Sequence, residues 1–257
     1  YTVAPYHLVN VYVRGDSLSE FAAFAFYPLV LWGLDRLAER PSLRRAISPA
    51  LAYAGLIVTH NLSAFIFSPF ALLYLMVLVW LDQEQRPRVF GFGVLALAFG
   101  VLLTAWYWLP ALAETGSVQM TAQTSGYFSY DKHFRTRDLV QPTLIFDYYT
   151  ITPEKPTAFA AMGLVQTVLT LAGAAAVILT YLRFRSTKRA FGLEISQLSF
   201  ALAGLLLTTW LITPLSRPLW DVLPPLQMIQ FPWRILSVQA LFTALLAKRT
   251  GQPVKFK

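Results

Sequence analysis

The polar residues of this sequence are few and they cluster. The densest cluster is Arg14-Gly15-Asp16-Ser17-Leu18-Ser19-Glu20, directly before a long apolar stretch. Arg14 could hold a phosphate group through charge-assisted hydrogen bonds. Asp16 and Glu20 could take a proton from a hydroxyl as general bases. A second cationic candidate, Arg234, stands in Gln227-Met228-Ile229-Gln230-Phe231-Pro232-Trp233-Arg234, which opens the last apolar stretch. Pro232 suits a first helical turn, and an arginine at a helix N-terminus makes an anion site. His60-Asn61 marks the tip of a hairpin whose first arm, about 14 residues, spans only about 21 Å. Polar groups held below the headgroups need protein partners or a water-filled cavity. Trp106-Tyr107-Trp108-Leu109-Pro110, with Glu114 following, could wall a sugar or prenyl chain, with Glu114 accepting a hydrogen bond. His133, within Tyr130-Asp131-Lys132-His133-Phe134-Arg135, completes the set of candidate substrate contacts.

Each candidate also has a structural explanation. Ser17-x-x-Glu20 satisfies the capping-box pattern, which accounts for those two residues and leaves Arg14 and Asp16. Gly15-Asp16-Ser17-Leu18 matches the opening of a serine-hydrolase motif, but that chemistry needs a late Asp-x-x-His, and His7, His60 and His133 do not supply it. Arg234 could snorkel to the interface, His60-Asn61 could serve only as a turn, and the Trp106–Trp108 run could be an aromatic belt. One Asp-x-His pair gives too few ligands for a metal, so no metal site is expected from this chain alone.

The elements that must carry these residues follow from composition. Hydrophobic residues make up 56% of the 257 and charged residues 13%, about half the roughly 25% of a soluble domain. The chain is too apolar for disorder and has too few polar side chains to cover a soluble surface. With no cysteine, disulfides, thiol catalysis and cysteine-based metal centres are excluded. No Walker glycine-lysine loop is present. No apolar stretch carries acids and bases in the pattern of a proton relay.

Seven apolar stretches can be drawn, over 18–37, 46–59, 62–81, 89–112, 158–182, 195–213 and 232–247. Turning the chain at His60–Asn61 puts loops 36–45, 82–88, 183–189 and 248–257 on one side, where they carry 14 of the 21 Lys and Arg residues. The other side carries seven. Reading 47–81 as one long helix erases that bias, so the positive-inside rule selects seven spans with the N-terminus out and the C-terminus in. The net charge of +8 then reports basic cytoplasmic loops and no nucleic-acid partner. The expected fold is an all-α polytopic membrane protein, one membrane-embedded domain over 1–257, with an aromatic extracytoplasmic loop at 113–157 holding short helices. The start at Tyr1 suggests part of a longer chain.

Several of these strings together resemble a family. Pro5-Tyr6-His7-Leu8-Val9-Asn10-Val11-Tyr12-Val13-Arg14-Gly15-Asp16, then Glu20 and Pro28-Leu29, is similar to the large bacterial multi-pass proteins known as 6-pyruvoyl-tetrahydropterin-synthase-related membrane proteins. Thr59-His60-Asn61, Trp108-Leu109-Pro110-Ala111-Leu112-Ala113-Glu114, His133-Phe134 and Gln230-Phe231-Pro232-Trp233-Arg234 recur there in the same order. The synthase chemistry itself needs a zinc-binding histidine cluster that this sequence lacks. These proteins resemble the GT-C membrane glycosyltransferases, which use a polyprenyl-phosphate-linked sugar on the extracytoplasmic side. The resemblance implies a bacterial plasma-membrane enzyme in contact with membrane lipid, with its main catalytic acid before Tyr1. It leaves the cofactor open, a divalent cation being one option. In that frame Asp16 and Glu20 are catalytic, Arg14 and Arg234 hold phosphate, and His60, Asn61, Trp108, Glu114 and His133 contact substrate. The rival expectation is a non-catalytic transporter or scaffold for lipid-linked substrates.

Overall fold

Helices dominate the computed structural model, which describes residues 1–15, 17–82, 84–117, 124–136, 138–148, 160–184 and 193–250. The chain opens with α1 (Pro5–Tyr12), its proline in the first turn where a missing N–H costs nothing. Then come α2 (Leu18–Ala23) and α3 (Phe26–Glu39), separated only by a bend at Phe24–Ala25. α4 (Leu43–Thr59) begins where the Ser42 hydroxyl accepts from the Arg45 N–H, and α5 (Asn61–Leu81) follows after a single residue. That residue is His60. Its backbone is extended, which stops α4, and its ring accepts from the Ser63 N–H, which caps α5. The expected turn at His60–Asn61 is present.

α6 (Arg86–Leu103) and α7 (Ala105–Ala113) break at Thr104, whose hydroxyl bonds back to the carbonyls of Gly100 and Val101. Such back-bonding competes with the helix ladder and bends it. α8 (Leu164–Phe184) and α9 (Leu193–Ile212) follow, and after α9 the chain turns by 90° into the segment that ends in α10 (Arg217–Val222). A short α11 (Pro224–Gln227), a 3-10 turn at Pro232–Ile235 and α12 (Leu236–Thr250) complete the chain. One minimal departure from all-α is a two-residue parallel ladder, Val140–Gln141 with Met162–Gly163.

Two helix groups form the body. α3 and α6 pack on α4, while α8 and α9 pack on α12. α5 touches α3, α4 and α6 on one side and α9 on the other, so it joins the groups. Close approach is bought with small residues: a Cβ on Gly33 of α3 would lie 2.8 Å from the Pro49 backbone nitrogen of α4. Polar pairs tie the same seams. Thr170 of α8 bonds Thr243 of α12, and Gln166 donates to Gln239. Asp35 of α3 accepts from the Tyr74 hydroxyl of α5 and from the Gln197 amide of α9. No expectation drawn from the sequence included that triad.

The outward faces are apolar. Phe65, Leu72, Leu73 and Met76 of α5 and Phe90, Val94, Leu95 and Phe99 of α6 are exposed, far more apolar surface than a soluble protein shows. Three helical segments are long and apolar enough to cross a membrane: Leu18–Glu39 (α2 with α3), Asn61–Leu81 and Arg86–Leu103. The bent pair Ser196–Ile212 with Pro214–Val222 makes a fourth if it counts as one span. Leu164–Leu179 and Pro232–Ala247 are apolar but shorter. The protein is therefore a mostly helical membrane protein. By length and composition, three or four of the seven apolar stretches stand out as spans among the described residues.

Candidate functional site

Four helix ends meet at one end of the bundle, and each brings a polar side chain. Tyr6 and Asn10 share a face of α1 one turn apart, and Arg14, two residues past the end of the helix, reaches back to that face. Arg14 Nη1 donates to Asn10 Oδ1 at 2.7 Å and to Glu20 Oε2 at 2.8 Å. Tyr6 donates its hydroxyl to the other carboxylate oxygen, Oε1, at 2.7 Å. Asn10 in turn donates to the Tyr6 carbonyl. Glu20 lies in the first turn of α2 with its side chain only 3% exposed, against 18% for Arg14. A buried pair of this kind is costly to break, about 3–5 kcal/mol when one partner is removed.

This arrangement corrects the capping box. Ser17 makes no side-chain cap bond to α2, and Glu20 turns to Tyr6 and Arg14, where a half-buried guanidinium outcompetes a backbone N–H. Asp16, the other acid of the string, lies outside the described residues.

Arg234 joins from the 3-10 turn before α12. The turn displaces the expected geometry: the α-helix begins only at Leu236, so Arg234 precedes it. Its Nη1 folds back to the Ile229 carbonyl and to Gln230 Oε1, both at 3.2 Å. Between those acceptors Gln230 has φ 65°, and the Phe231 N–H bonds the Ile229 carbonyl at 2.7 Å across it. That is a γ-turn of the rare positive-φ kind, a strain of about 1–3 kcal/mol for a non-glycine residue. Arg234 braces it. The charge of Arg234 also acts on Glu20, Tyr6 and Arg14.

Aromatic rings back both cations. Phe231 and Trp233 stack at 4.9 Å with an interplanar angle of 19°. The Arg14 guanidinium carbon lies 5.4 Å from the Trp233 ring centre and that of Arg234 5.0 Å from the Phe231 ring centre. Both distances fit cation–π contact. His60 completes the ring of charge. Its Nδ1 accepts from the Ser63 N–H at 3.1 Å, so the proton of the neutral ring sits on Nε2. Glu20, Arg234 and Arg14 all act on it electrostatically.

The segment after α7 docks onto the same end. His133 donates from Nε2 to the Tyr127 carbonyl and meets Phe231 edge-on at 4.6 Å. Burial holds its pKa below the ordinary histidine value. Tyr130 stacks on Trp220 at 5.6 Å and donates to Asp221. The Arg135 N–H bonds the Ile212 carbonyl at 2.8 Å, and its buried guanidinium pairs with Asp138. Short 3-10 turns at Thr115–Ser117, Gly126–Phe128 and Tyr130–Lys132 match the expected short helices.

Of the residues singled out by sequence, Arg14, Glu20, His60 and Arg234 converge, with His133 reaching them through Phe231. The structure does not bring Asn61, Trp108 or Glu114 to the cluster. Asn61 is exposed at the start of α5. Trp108 sits on α7 and donates to the Val101 carbonyl, and the exposed Glu114 ends that helix. Tyr6, Asn10, Gln230 and Trp233 belong to the site but carried no assigned role. The four-residue spacing of Tyr6, Asn10 and Arg14 was the available signal. Among the described residues, no three His, Asp or Glu side chains are grouped to hold a metal.

Comparison with known proteins agrees with this picture of a membrane protein. A segment of 111 residues, 42% of this chain, is 26% identical to an uncharacterized protein of Lactococcus lactis subsp. cremoris (strain MG1363). The match spans only 18% of that relative's length. No solved structure matches. The profile of the 6-pyruvoyl-tetrahydropterin synthase related domain, described as a membrane protein, matches residues 3–252. The chain belongs to the 6-pyruvoyl-tetrahydropterin synthase related family of membrane proteins.

Proposed function

We propose that this chain binds the phosphate of a lipid-linked sugar as part of a GT-C-like membrane glycosyltransferase in a bacterial plasma membrane. The observation that carries the reading is a buried carboxylate, Glu20, paired with Arg14 at the ends of apolar helices, with a second arginine, Arg234, close enough to act on it electrostatically. A polyprenyl phosphate offers an anionic partner for these two guanidiniums at that depth. In this reading the seven-span topology stands, N-terminus out, with the cluster on the outer face.

Each residue then has a role. Arg14 and Arg234 hold the phosphate and stabilise the charge that develops as it leaves the sugar. Glu20 fixes Arg14, since both of its oxygens already accept hydrogen bonds. Asp16 remains the proposed base within this chain. His133 and the Phe231–Trp233 stack supply the surface on which a sugar or prenyl group rests. The engagement of both Glu20 oxygens also favours a second reading, a scaffold that binds lipid-linked phosphate without turning it over.

A transfer assay separates the two. The full protein in liposomes is given polyprenyl-phosphate sugars with labelled sugar groups. The enzyme reading predicts release or transfer of label, falling about tenfold to a hundredfold in Arg234→Gln, the worth of one charge-assisted contact. Donor binding without any turnover supports the scaffold. Neither binding nor turnover across the panel overturns both.

A further inference from the structure

At the opposite end of the bundle from the polar cluster, α5 and α9 leave an open apolar groove of ≈ 480 Å³ between them. Phe70, Leu73 and Trp80 line it from α5, and Ser196, Ala203 and Leu207 from α9. From Ser196 to Leu207 the helix rises about 16 Å, roughly half of a hydrocarbon core of about 30 Å. The groove is thus one leaflet deep. It begins level with the last turn of α5 and ends near the middle of that helix.

The end of the groove near the α5–α6 loop is polar: Ser196 lines it, and Arg86 follows a loop whose Asp82 carboxylate is already engaged by the Glu84 and Gln85 N–H groups. Ser196 is only 5% exposed, yet its hydroxyl has no hydrogen-bond partner among the described residues. A buried polar group without a partner is costly, and this one lines the groove. Arg86, in the first turn of α6, donates from Nη2 to the carbonyl of Trp80, a groove residue, at 3.2 Å. Its Nε is buried and has no partner among the described residues.

We infer that this groove holds one acyl chain of an anionic diacyl phospholipid, with its phosphate on Arg86 and an ester oxygen on the Ser196 hydroxyl. Length and charge select that occupant. The groove's depth matches a chain confined to one leaflet, where a polyprenyl chain runs on past the midplane. A cation and a hydroxyl donor at the headgroup end match a phosphate and an ester acceptor, in the order in which a phospholipid presents them. The inference does not rest on the glycosyltransferase reading, whose site lies at the other end of the bundle.

Native mass spectrometry of the full chain in detergent tests it, with dioleoyl phosphatidylglycerol, dioleoyl phosphatidylcholine and undecaprenyl phosphate as probes. Expected is one tightly held phosphatidylglycerol, favoured about tenfold over phosphatidylcholine. Ala203→Phe fills the groove and removes that lipid. Ser199→Phe, on the open rim, does the same and serves if Ala203→Phe fails to fold. Arg86→Gln abolishes the headgroup preference, while the exposed neighbour change Arg88→Gln keeps it. Equal affinity for the two phospholipids, undisturbed lipid in the folded groove variants, or undecaprenyl phosphate displaced by those variants would each overturn the inference.

Discussion

At the scale of single residues, the fate of Glu20 shows how one buried charge organises its neighbours. A carboxylate this deep needs partners, and it recruits a phenol, a guanidinium and, at longer range, a second guanidinium. Arg14, Glu20, His60 and Arg234 were legible in the sequence because charged or imidazole groups beside apolar stretches are conspicuous. Tyr6 and Trp233 were not, since aromatics are abundant here and only the fold shows which ring backs a cation. His7 illustrates the opposite outcome, a titratable group kept for packing. It is buried, stacked on Phe24 at 4.4 Å and met edge-on by Tyr1, and burial pushes its pKa down to about 4. A depressed pKa means the unfolded state takes up the proton first, so stability present above pH ~6.5 is lost as the pH falls towards 4. The loss amounts to about 3 kcal/mol over that window. Thermal unfolding in detergent should show a Tm falling steadily from pH 6.5 to 4. His7→Phe should flatten most of that slope, with a remainder from His60 and His133, whose pKa values burial also lowers. An unchanged slope in His7→Phe would contradict this account.

Among the secondary-structure elements, apolar runs were read correctly as helices and their ends less so. The stretch 18–37 divides at Phe24–Ala25, 89–112 divides at Thr104, and 232–247 opens with a 3-10 turn. Each break depends on side-chain-to-backbone bonding or a strained turn, as at Thr104 and Gln230, which hydropathy does not register. The same blindness extends to helix contacts. Gly33 and Pro49 looked unremarkable in sequence, yet their backbones touch where α3 crosses α4. Backbone cannot yield as a flexible side chain can, so Gly33→Ala should push the helices apart and cost about 1–3 kcal/mol. Gly91, which has open space where a Cβ would go, provides the control. Thermal unfolding of Gly33→Ala and Gly91→Ala should show a lowered Tm only for the first. Equal stability would mean that α3 and α4 do not approach this closely.

For the whole molecule, the surface is the clearest message: apolar side chains outside and polar ones gathered at the seams and ends. Composition foretold that inversion, since 13% charged residues cannot cover a soluble surface. Which end faces which compartment rests on the 14-to-7 division of Lys and Arg, and the lack of cysteine makes it directly testable. A single cysteine at Thr124 should react with an impermeant thiol reagent in intact cells, and one at Thr187 should react only after lysis. Reversed labelling would put the Arg14–Glu20–Arg234 cluster on the cytoplasmic face, away from the proposed donor.

The binding of undecaprenyl phosphate to the purified chain bears most directly on the central claim. Titration of the wild type and of Arg234→Lys should show weaker binding by about tenfold in a variant that still folds, because lysine keeps the charge but loses the planar fork. Arg14→Gln should bind more weakly still, having lost charge as well. A wild-type affinity retained in both variants, or no saturable binding by the wild type, would contradict the assignment of this cluster as a lipid-phosphate site.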